Sequence, residues 1–253
     1  MERKKETWLP TDRRFVAFLD ILGFKDKVQR KEHLEVYNEL KMLSDIQKEL
    51  DNILSKSQYG TRLKPGDIYI VNFSDSIVVF SKNDSIDSLE VLLFSLRFIF
   101  MNSILNKIAI KGGIAHGVIT VNKSLNLFVG QPIIDAYLIE EEVNYLGAVC
   151  HSSIDLHFSK NKLSSLVDIL LFEFKTPLKS GNIVHKNLDW FGYLADVEYD
   201  YEENKEAYKK SILEEFEKLY ETVSGSPRRY VDNSIELVLK LLENNKMNLY
   251  PIV

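Results

Sequence analysis

Two short apolar segments, residues 14–24 and 71–80, each carry a single aspartate within a run of β-branched, aromatic and aliphatic residues. Such runs predict buried β-strands, where an unpaired carboxylate costs on the order of several kcal/mol. We therefore expect the two aspartates, Asp20 and Asp75, to share divalent cations, because oxygen ligands and metal charge offset that cost. The pattern predicts a sheet protein that performs metal-assisted phosphoryl chemistry.

Composition describes a chain of ordinary globular character. Its 253 residues are 45% hydrophobic and 27% charged, enough for one domain or one domain with an elaboration. The net charge of -5 argues against a broad nucleic-acid-binding surface. Cys150 is the only cysteine, which excludes an internal disulfide, and we expect it to be a small core residue.

Membrane association is not expected from the sequence. Residues 1–8 are charged and lack the apolar stretch of a signal peptide. The longest apolar stretch, residues 89–110, is interrupted by charged and amide side chains, which favours a partly buried helix leading into a strand. We therefore expect a cytoplasmic protein without a membrane anchor.

Hydrophobic periodicity predicts the order of the elements. The predicted elements are a strand at 15–21, a long amphipathic helix at 31–55, a hairpin of strands 67–73 and 76–80 with Asp75 at its tip, a helix at 86–106, a glycine-punctuated strand at 109–121, a helix at 133–145, strand-like segments at 167–177 and 183–193, and helices at 202–223 and 231–244. This order predicts the α/β class and a ferredoxin-like α/β sandwich with a mainly helical C-terminal extension. We expect residues 1–160 to form the catalytic core and residues 161–253 to pack on it as one structural unit.

Three motifs, in this order, resemble the catalytic domain of class III nucleotidyl cyclases. Residues 18–24 match the pattern Phe-x-Asp-Ile-x-Gly-Phe, and residues 73–78 match a Gly-Asp-Ser-type hairpin turn with Ser74 in place of glycine. Residues 110–117 resemble an Arg-x-Gly-Ile-x-x-Gly strand with Lys111 in place of arginine, and the similarity extends to Glu140. The resemblance implies the cyclase catalytic fold and the cyclisation of a nucleoside triphosphate.

The resemblance also implies roles for individual residues. Asp20 and Asp75 would act as catalytic residues that bind two Mn²⁺ or Mg²⁺ ions, and Ile21 would contribute a backbone carbonyl to one ion. The substrate would contact a further set of residues through backbone amides, base-binding side chains and one cation: Leu22, Gly23, Phe24, Val71, Phe73 and Lys111. Because this family builds each site between two subunits, a head-to-tail homodimer is expected.

The chain departs from the purine cyclases of this family at four positions. Their adenine-reading lysine and aspartate correspond to Val71 and Leu127 here, and their transition-state asparagine and arginine correspond to Ile134 and Leu138. This combination resembles the pyrimidine cyclases of Pycsar anti-phage defence systems, which make cyclic UMP or cyclic CMP, and segments 188–190 and 228–235 resemble them more loosely. UTP is the favoured substrate, and CTP stays an alternative.

Other interpretations remain open at this point. The loss of the transition-state residues is also compatible with a catalytically silent cyclase-like domain that binds nucleotide and signals through a partner. A palm-type polymerase would use two similar aspartates but needs a basic template groove, which the net charge disfavours. Lys111, Arg228 and Arg229 are candidate phosphate-binding cations, and His116 receives no role because no second His or Cys lies at metal-binding spacing.

Overall fold

The computed structural model describes residues 8–56, 67–161, 163–191, 201–223 and 225–243, so the predicted charged N-terminus, apart from Trp8, lies outside the described residues. In chain order the described elements are β1 (Thr11–Ile21), α1 (Phe24–Arg30), α2 (His33–Lys56), β2 (Ile68–Phe73), β3 (Ser76–Ser81), α3 (Ile86–Leu105), β4 (Ile110–Asn122), β5 (Leu127–Val129), α4 (Gln131–Glu142), β6 (Ala148–Cys150), α5 (Ser152–Phe158), α6 (Ser165–Leu170), β7 (Leu171–Leu178), β8 (Gly181–Leu188), α7 (Tyr201–Tyr220) and α8 (Arg228–Glu243).

The first half of the chain forms a ferredoxin-like α/β sandwich. Strands β2, β3, β1 and β4 lie side by side in that order, and every neighbouring pair is antiparallel. Helices α1 and α2 connect β1 to β2, and α3 connects β3 to β4, which gives the βαββαβ order of this architecture. The predicted α/β fold class is confirmed, and β1 lies between two strands rather than at an edge.

The second half of the chain extends the same sheet. Strand β6 runs parallel to β4, and β8 and β7 follow it in antiparallel pairing, while the short β5 pairs with β4. The predicted C-terminal helices are present as α7 and α8, which pack on each other, and α7 also contacts α3. Strands from both sides of the boundary predicted at residue 160 therefore belong to one continuous sheet.

The two faces of the sheet bury different side chains because residues alternate along each strand. On β1, Phe15, Ala17 and Leu19 belong to the main core, whereas Val16 belongs to a smaller apolar cluster on the opposite face. Asp20 is four residues from Val16, so its side chain lies on the face of the smaller cluster. The site residues of β1 are thus separated by the sheet from the main core.

Helix α3 is a long and strongly apolar helix. By length and composition it is the one described helix that passes a test for membrane crossing, but most of the tested window is buried inside the protein. It begins at a serine cap, where the Ser85 side chain accepts a hydrogen bond from the Ser88 amide at 3.2 Å. The expectation that residues 89–110 form a buried helix entering a strand is confirmed.

Close approach of α4 to β4 requires a residue without a side chain at Gly113. A Cβ atom there would lie 2.2 Å from the Ala136 carbonyl oxygen and 2.9 Å from the Glu140 amide nitrogen. Both neighbours are backbone atoms, so the helix would have to move to accommodate them. Gly113 therefore sets the distance at which α4 crosses the sheet.

Candidate functional site

Asp20 and Asp75 meet where β1 ends and the β2–β3 hairpin turns. Asp20 pairs in register with Ser76, the residue next to Asp75, and the Ile21 amide donates a hydrogen bond of 3.0 Å to the Asp75 carbonyl oxygen. Ser74 holds the tip of the hairpin in a left-handed conformation, with a φ of 56°. The position of Asp75 at a hairpin tip is as the sequence predicted, and both aspartates are half-buried.

A buried ion pair lies beside Asp20. Lys111 is opposite Asp20 on β4, and its Nζ atom lies 2.6 Å from Glu140 Oε1 and donates a hydrogen bond of 2.7 Å to the Glu140 carbonyl oxygen. Both side chains are nearly inaccessible to solvent, at 6% and 4% exposure. Lys111, predicted as a substrate contact, is thus held by Glu140 next to the aspartates.

Glu140 is a member of the site that the sequence reasoning did not select. It is the first of three consecutive glutamates on α4, yet its side chain is buried and lies beside Lys111 on the sheet. A small residue one helical turn earlier, Ala136, shows which face of α4 is buried, because residues four apart lie on the same face of a helix. Ala136 is fully buried against Gly113, so Glu140 faces the sheet as well. The helix also begins earlier than predicted, at Gln131.

The electrostatics of this site favour a bound cation. The pKa of Asp20 is raised to about 7, chiefly by burial and also by the charges of Glu140 and Asp75, while Lys111 and Lys179 oppose the rise. Burial likewise raises the pKa of Glu140, against the effect of Lys111. Carboxylate oxygens are the donors that Mg²⁺ and Mn²⁺ prefer, so the donor set fits the predicted ions.

The turn after β1 differs in one respect from the expectation. The Leu22 amide, predicted to face phosphate oxygens, donates a hydrogen bond of 2.9 Å to the Ala109 carbonyl oxygen. It is therefore engaged by the sheet, which leaves the amides of Gly23 and Phe24 for the predicted role. Gly23 has a φ of 73°, which lets the chain turn from β1 into α1.

The positions predicted to contact the base are spread along the sheet, and Leu127 pairs with Asn122 at the end of β4 opposite to Lys111. Val71 is half-buried on β2 and packs against the smaller apolar cluster. Phe73, beside the hairpin tip, is 79% exposed, and Leu127 at the start of β5 is 50% exposed. Ile134 and Leu138, which replace the family's transition-state residues, are 51% and 52% exposed on the outer side of α4.

Helix α8 brings Tyr230, a residue to which the sequence reasoning gave no role, close to Lys111. Lys111 Nζ lies 5.8 Å from the centre of the Tyr230 ring. Burial raises the pKa of Tyr230, Arg229 lowers it, and the charges of Glu140 and Asp20 raise it, which indicates that these groups lie near one another. The neighbouring Arg228 instead packs near the Tyr220 ring.

No known protein family and no curated protein matches this chain. Its fold is similar to three solved nucleotide cyclases: a bacterial light-regulated adenylyl cyclase (10% identity, TM-score 0.48, 80% of this chain), the adenylyl cyclase CyaB from P. aeruginosa (15%, 0.45, 76%) and the catalytic core of a rhodopsin-guanylyl cyclase with converted specificity in complex with ATPαS (14%, 0.48, 70%). The chain spans 57% of the first of these structures, all of the second and 94% of the third. At such low identity the family and activity must be inferred from this chain's own residues.

Proposed function

We propose that this chain is a metal-dependent nucleotidyl cyclase, a lyase that converts a pyrimidine nucleoside triphosphate to a 3′,5′-cyclic nucleotide and pyrophosphate. UTP is the favoured substrate, and the product would be a second messenger in anti-phage defence. The observation that carries the proposal is the convergence of Asp20 and Asp75 at one end of β1 and β3, linked by the hydrogen bond from the Ile21 amide. Two acidic groups distant in sequence meet where a polyphosphate can reach them.

In the proposed mechanism, Asp20 and Asp75 would hold two Mn²⁺ or Mg²⁺ ions, and the Ile21 carbonyl would complete one coordination shell. When bound, such ions supply Lewis-acid activation of the ribose 3′-hydroxyl and neutralise charge on the departing pyrophosphate. The Gly23 and Phe24 amides would donate to phosphate oxygens. These five residues would thus serve one task, which is to hold a triphosphate against the end of β1.

Lys111 would act mainly by positioning. Its ammonium is bound by Glu140 and lies opposite Asp20, so it would lower the local negative charge before substrate binds. Lys179 and Arg229 are the cations from the second half of the chain that influence Asp20 and Tyr230, respectively. In the related cyclases the position of Leu138 holds an arginine that neutralises charge in the transition state. We propose that Lys179 and Arg229 take over this role here.

The choice of a pyrimidine rests on the apolar positions at which purine cyclases read adenine. Val71 and Leu127 offer no hydrogen-bonding side chain to a base. The exposed Phe73 ring, next to the hairpin tip that carries Asp75, offers a stacking surface for a base. UTP and CTP differ at one edge of the ring, so a direct comparison of the two substrates tests the choice.

A homodimer with active sites at the subunit interface is part of this proposal. Four large hydrophobic side chains near the site, on the hairpin and α4, are 40–79% exposed: Phe73, Ile134, Tyr137 and Leu138. Exposed apolar side chains of this kind are typical of a surface that binds a partner. Ile134→Asp or Leu138→Asp should give a monomer in light scattering and abolish turnover, whereas Leu34→Asp, at a 67% exposed position on α2, should do neither. A dimer that persists in both α4 variants would contradict this surface.

We also propose a cytoplasmic location, without a membrane anchor and without a nucleic-acid partner. The buried position of α3 and the net charge of -5 support this view. The substrate nucleotide would then be drawn directly from the cellular pool.

The activity assay uses the purified full chain with each of the four ribonucleoside triphosphates and Mn²⁺. Mass spectrometry should detect a cyclic pyrimidine nucleotide, with an equal amount of pyrophosphate. Asp20→Asn and Asp75→Asn should each abolish the product while leaving the dimer intact. Asp12→Asn, on the opposite end of the same strand, is the matched control and should keep full activity.

A catalytically silent, nucleotide-binding domain is the second candidate, because Ile134 and Leu138 stand where transition-state groups are expected. This alternative predicts Mn²⁺-dependent nucleotide binding in calorimetry with no pyrophosphate from any substrate. Turnover that persists in both Asp20→Asn and Asp75→Asn would reject both candidates.

A further inference from the structure

A second group of potential metal ligands lies away from the two aspartates. Asp84 follows β3, His116 is on β4 and His157 is on α5, and their ligand atoms all lie within 4.8 Å of one another. His116 Nε2 is 3.3 Å from Asp84 Oδ2, and the two imidazole rings are 4.5 Å apart between centroids. Sequence spacing alone does not link these residues, since His157 lies 41 positions after His116.

This group is separate from the candidate active site. His116 pairs in register with Phe15, whose ring is 5.0 Å from each of the two imidazoles. Phe15 faces the main core, on the opposite face of the sheet from Asp20. Phe15 and Asp20 are five positions apart on β1, which places their Cα atoms about 17 Å from each other along the strand.

The geometry suits a tetrahedral transition metal. With ligands at about 2.0–2.1 Å, the edges of a zinc tetrahedron are about 3.3 Å long. The distance between His116 Nε2 and Asp84 Oδ2, 3.3 Å, already equals that edge, and the ligand atom of His157 lies within 4.8 Å of the other two, so it must approach by at most about 1.5 Å. Two imidazoles favour Zn²⁺ over the Mg²⁺ and Mn²⁺ preferred by carboxylates alone.

The surroundings favour a ligand role as well. Both histidines are 7% exposed, and burial lowers the pKa of each, which favours the neutral ring, the form that binds metal. The Asp84 side chain is 36% exposed, which leaves solvent access for a fourth ligand. The Asn161 side-chain amide lies 3.4 Å from His157 Nε2 and donates to the His157 carbonyl oxygen, which fixes the end of α5.

One cation competes for this group. Arg13 Nε lies 3.3 Å from Asp84 Oδ2, the same oxygen that faces His116. Its side chain is 55% exposed and can turn away into solvent. Arg13 and a metal ion would therefore exclude each other at that oxygen, and this competition offers a test.

We propose that Asp84, His116 and His157 bind one Zn²⁺ ion, with water as the fourth ligand. The ion would tie three segments together: the turn that begins α3, the centre of β4 and the end of α5. Its role would be structural, because the group lies on the far side of the sheet from the aspartates.

The test uses the full chain with Asp20→Asn and Asp75→Asn, so that these two carboxylates do not bind the added metal. Its outcome does not depend on whether the chain is a cyclase. The protein is stripped with a chelator, titrated with Zn²⁺ against a competing chelator, and titrated with Co²⁺ under visible absorption. We expect one Zn²⁺ per chain, a tetrahedral Co²⁺ spectrum and a higher melting temperature with Zn²⁺. Mn²⁺ and Mg²⁺ should give none of these responses.

Variants at the ligands decide the assignment. Asp84→Asn and His157→Gln should each weaken Zn²⁺ binding at least about tenfold, and Arg13→Gln should strengthen it. His33→Gln, at an exposed position on α2, is the control and should leave binding unchanged. The proposal is overturned if the folded chain binds no Zn²⁺, if the ligand variants bind as tightly as the parent, or if Arg13→Gln weakens binding.

Discussion

Asp20→Asn should stabilise the metal-free protein at pH 8 while it abolishes activity. The pKa of Asp20 rises from 3.8 to about 7, mainly through burial, so between these two values the folded chain holds a proton that the unfolded chain has already lost. At pH 8 both states are ionised, and the folded chain carries the full cost of the half-buried charge. At about 1.4 kcal/mol for each tenfold change in proton affinity this amounts to about 4 kcal/mol, and solvent screening at a half-buried group reduces it to about 2 kcal/mol. For a chain of this length, that corresponds to a rise of about 4–8 °C in melting temperature.

The sign of the pH dependence provides a second check. Because the folded-state pKa is raised, the parent loses stability as pH rises from about 4 to about 7, and the neutral asparagine does not. The stability gap between Asp20→Asn and the parent, from denaturant unfolding in EDTA, should therefore be larger at pH 8 than at pH 5. Asp12→Asn should show no such gap. A metal-free Asp20→Asn protein that is less stable than the parent at pH 8 would refute the reasoning.

Further predictions concern packing and the buried ion pair. Gly113→Ala places a Cβ 2.2 Å from the Ala136 carbonyl oxygen and should cost about 1–3 kcal/mol, whereas Gly117→Ala, whose Cβ meets a side-chain carbon at 3.0 Å, should cost less in the same unfolding assay. Lys111→Met leaves Glu140 buried without its partner and should cost about 3–5 kcal/mol at pH 8. Adding Glu140→Gln should recover much of that loss, and a double variant as unstable as the sum of both changes would speak against the pair.

Local patterns were sufficient for most of the fold. The alternation around Asp20 and Asp75, the helical spacing of residues 31–55 and the apolar stretch from residue 89 each predicted an element that the structure contains. These signals depend on short-range periodicity, which a single sequence records directly. The start of α4 was placed two residues late, at residue 133, because the apolar periodicity begins there, whereas the helix begins at Gln131 with Pro132 in its first turn.

The site was less predictable, because its remaining members meet only through tertiary packing. Glu140 is buried through the approach of α4 to a glycine strand, and Tyr230 reaches Lys111 from a helix more than 100 positions away. The hydrogen bond from the Leu22 amide to Ala109 also depends on sheet pairing that no local motif encodes. Such contacts require the order of strands, which the sequence alone does not give.

The burial of α3 has a consequence for synthesis of the chain on the ribosome. Its apolar surface contacts α2, β1, β2 and β3, which are made earlier, but also β4, α6 and α7, which are made later. A nascent chain that has emerged only to residue 110 therefore exposes a long apolar helix, because some of the elements that bury it have not yet been synthesised. During that interval chaperone capture competes with aggregation and with delivery to a translocon, so the speed of elongation through β4 affects the yield of native protein.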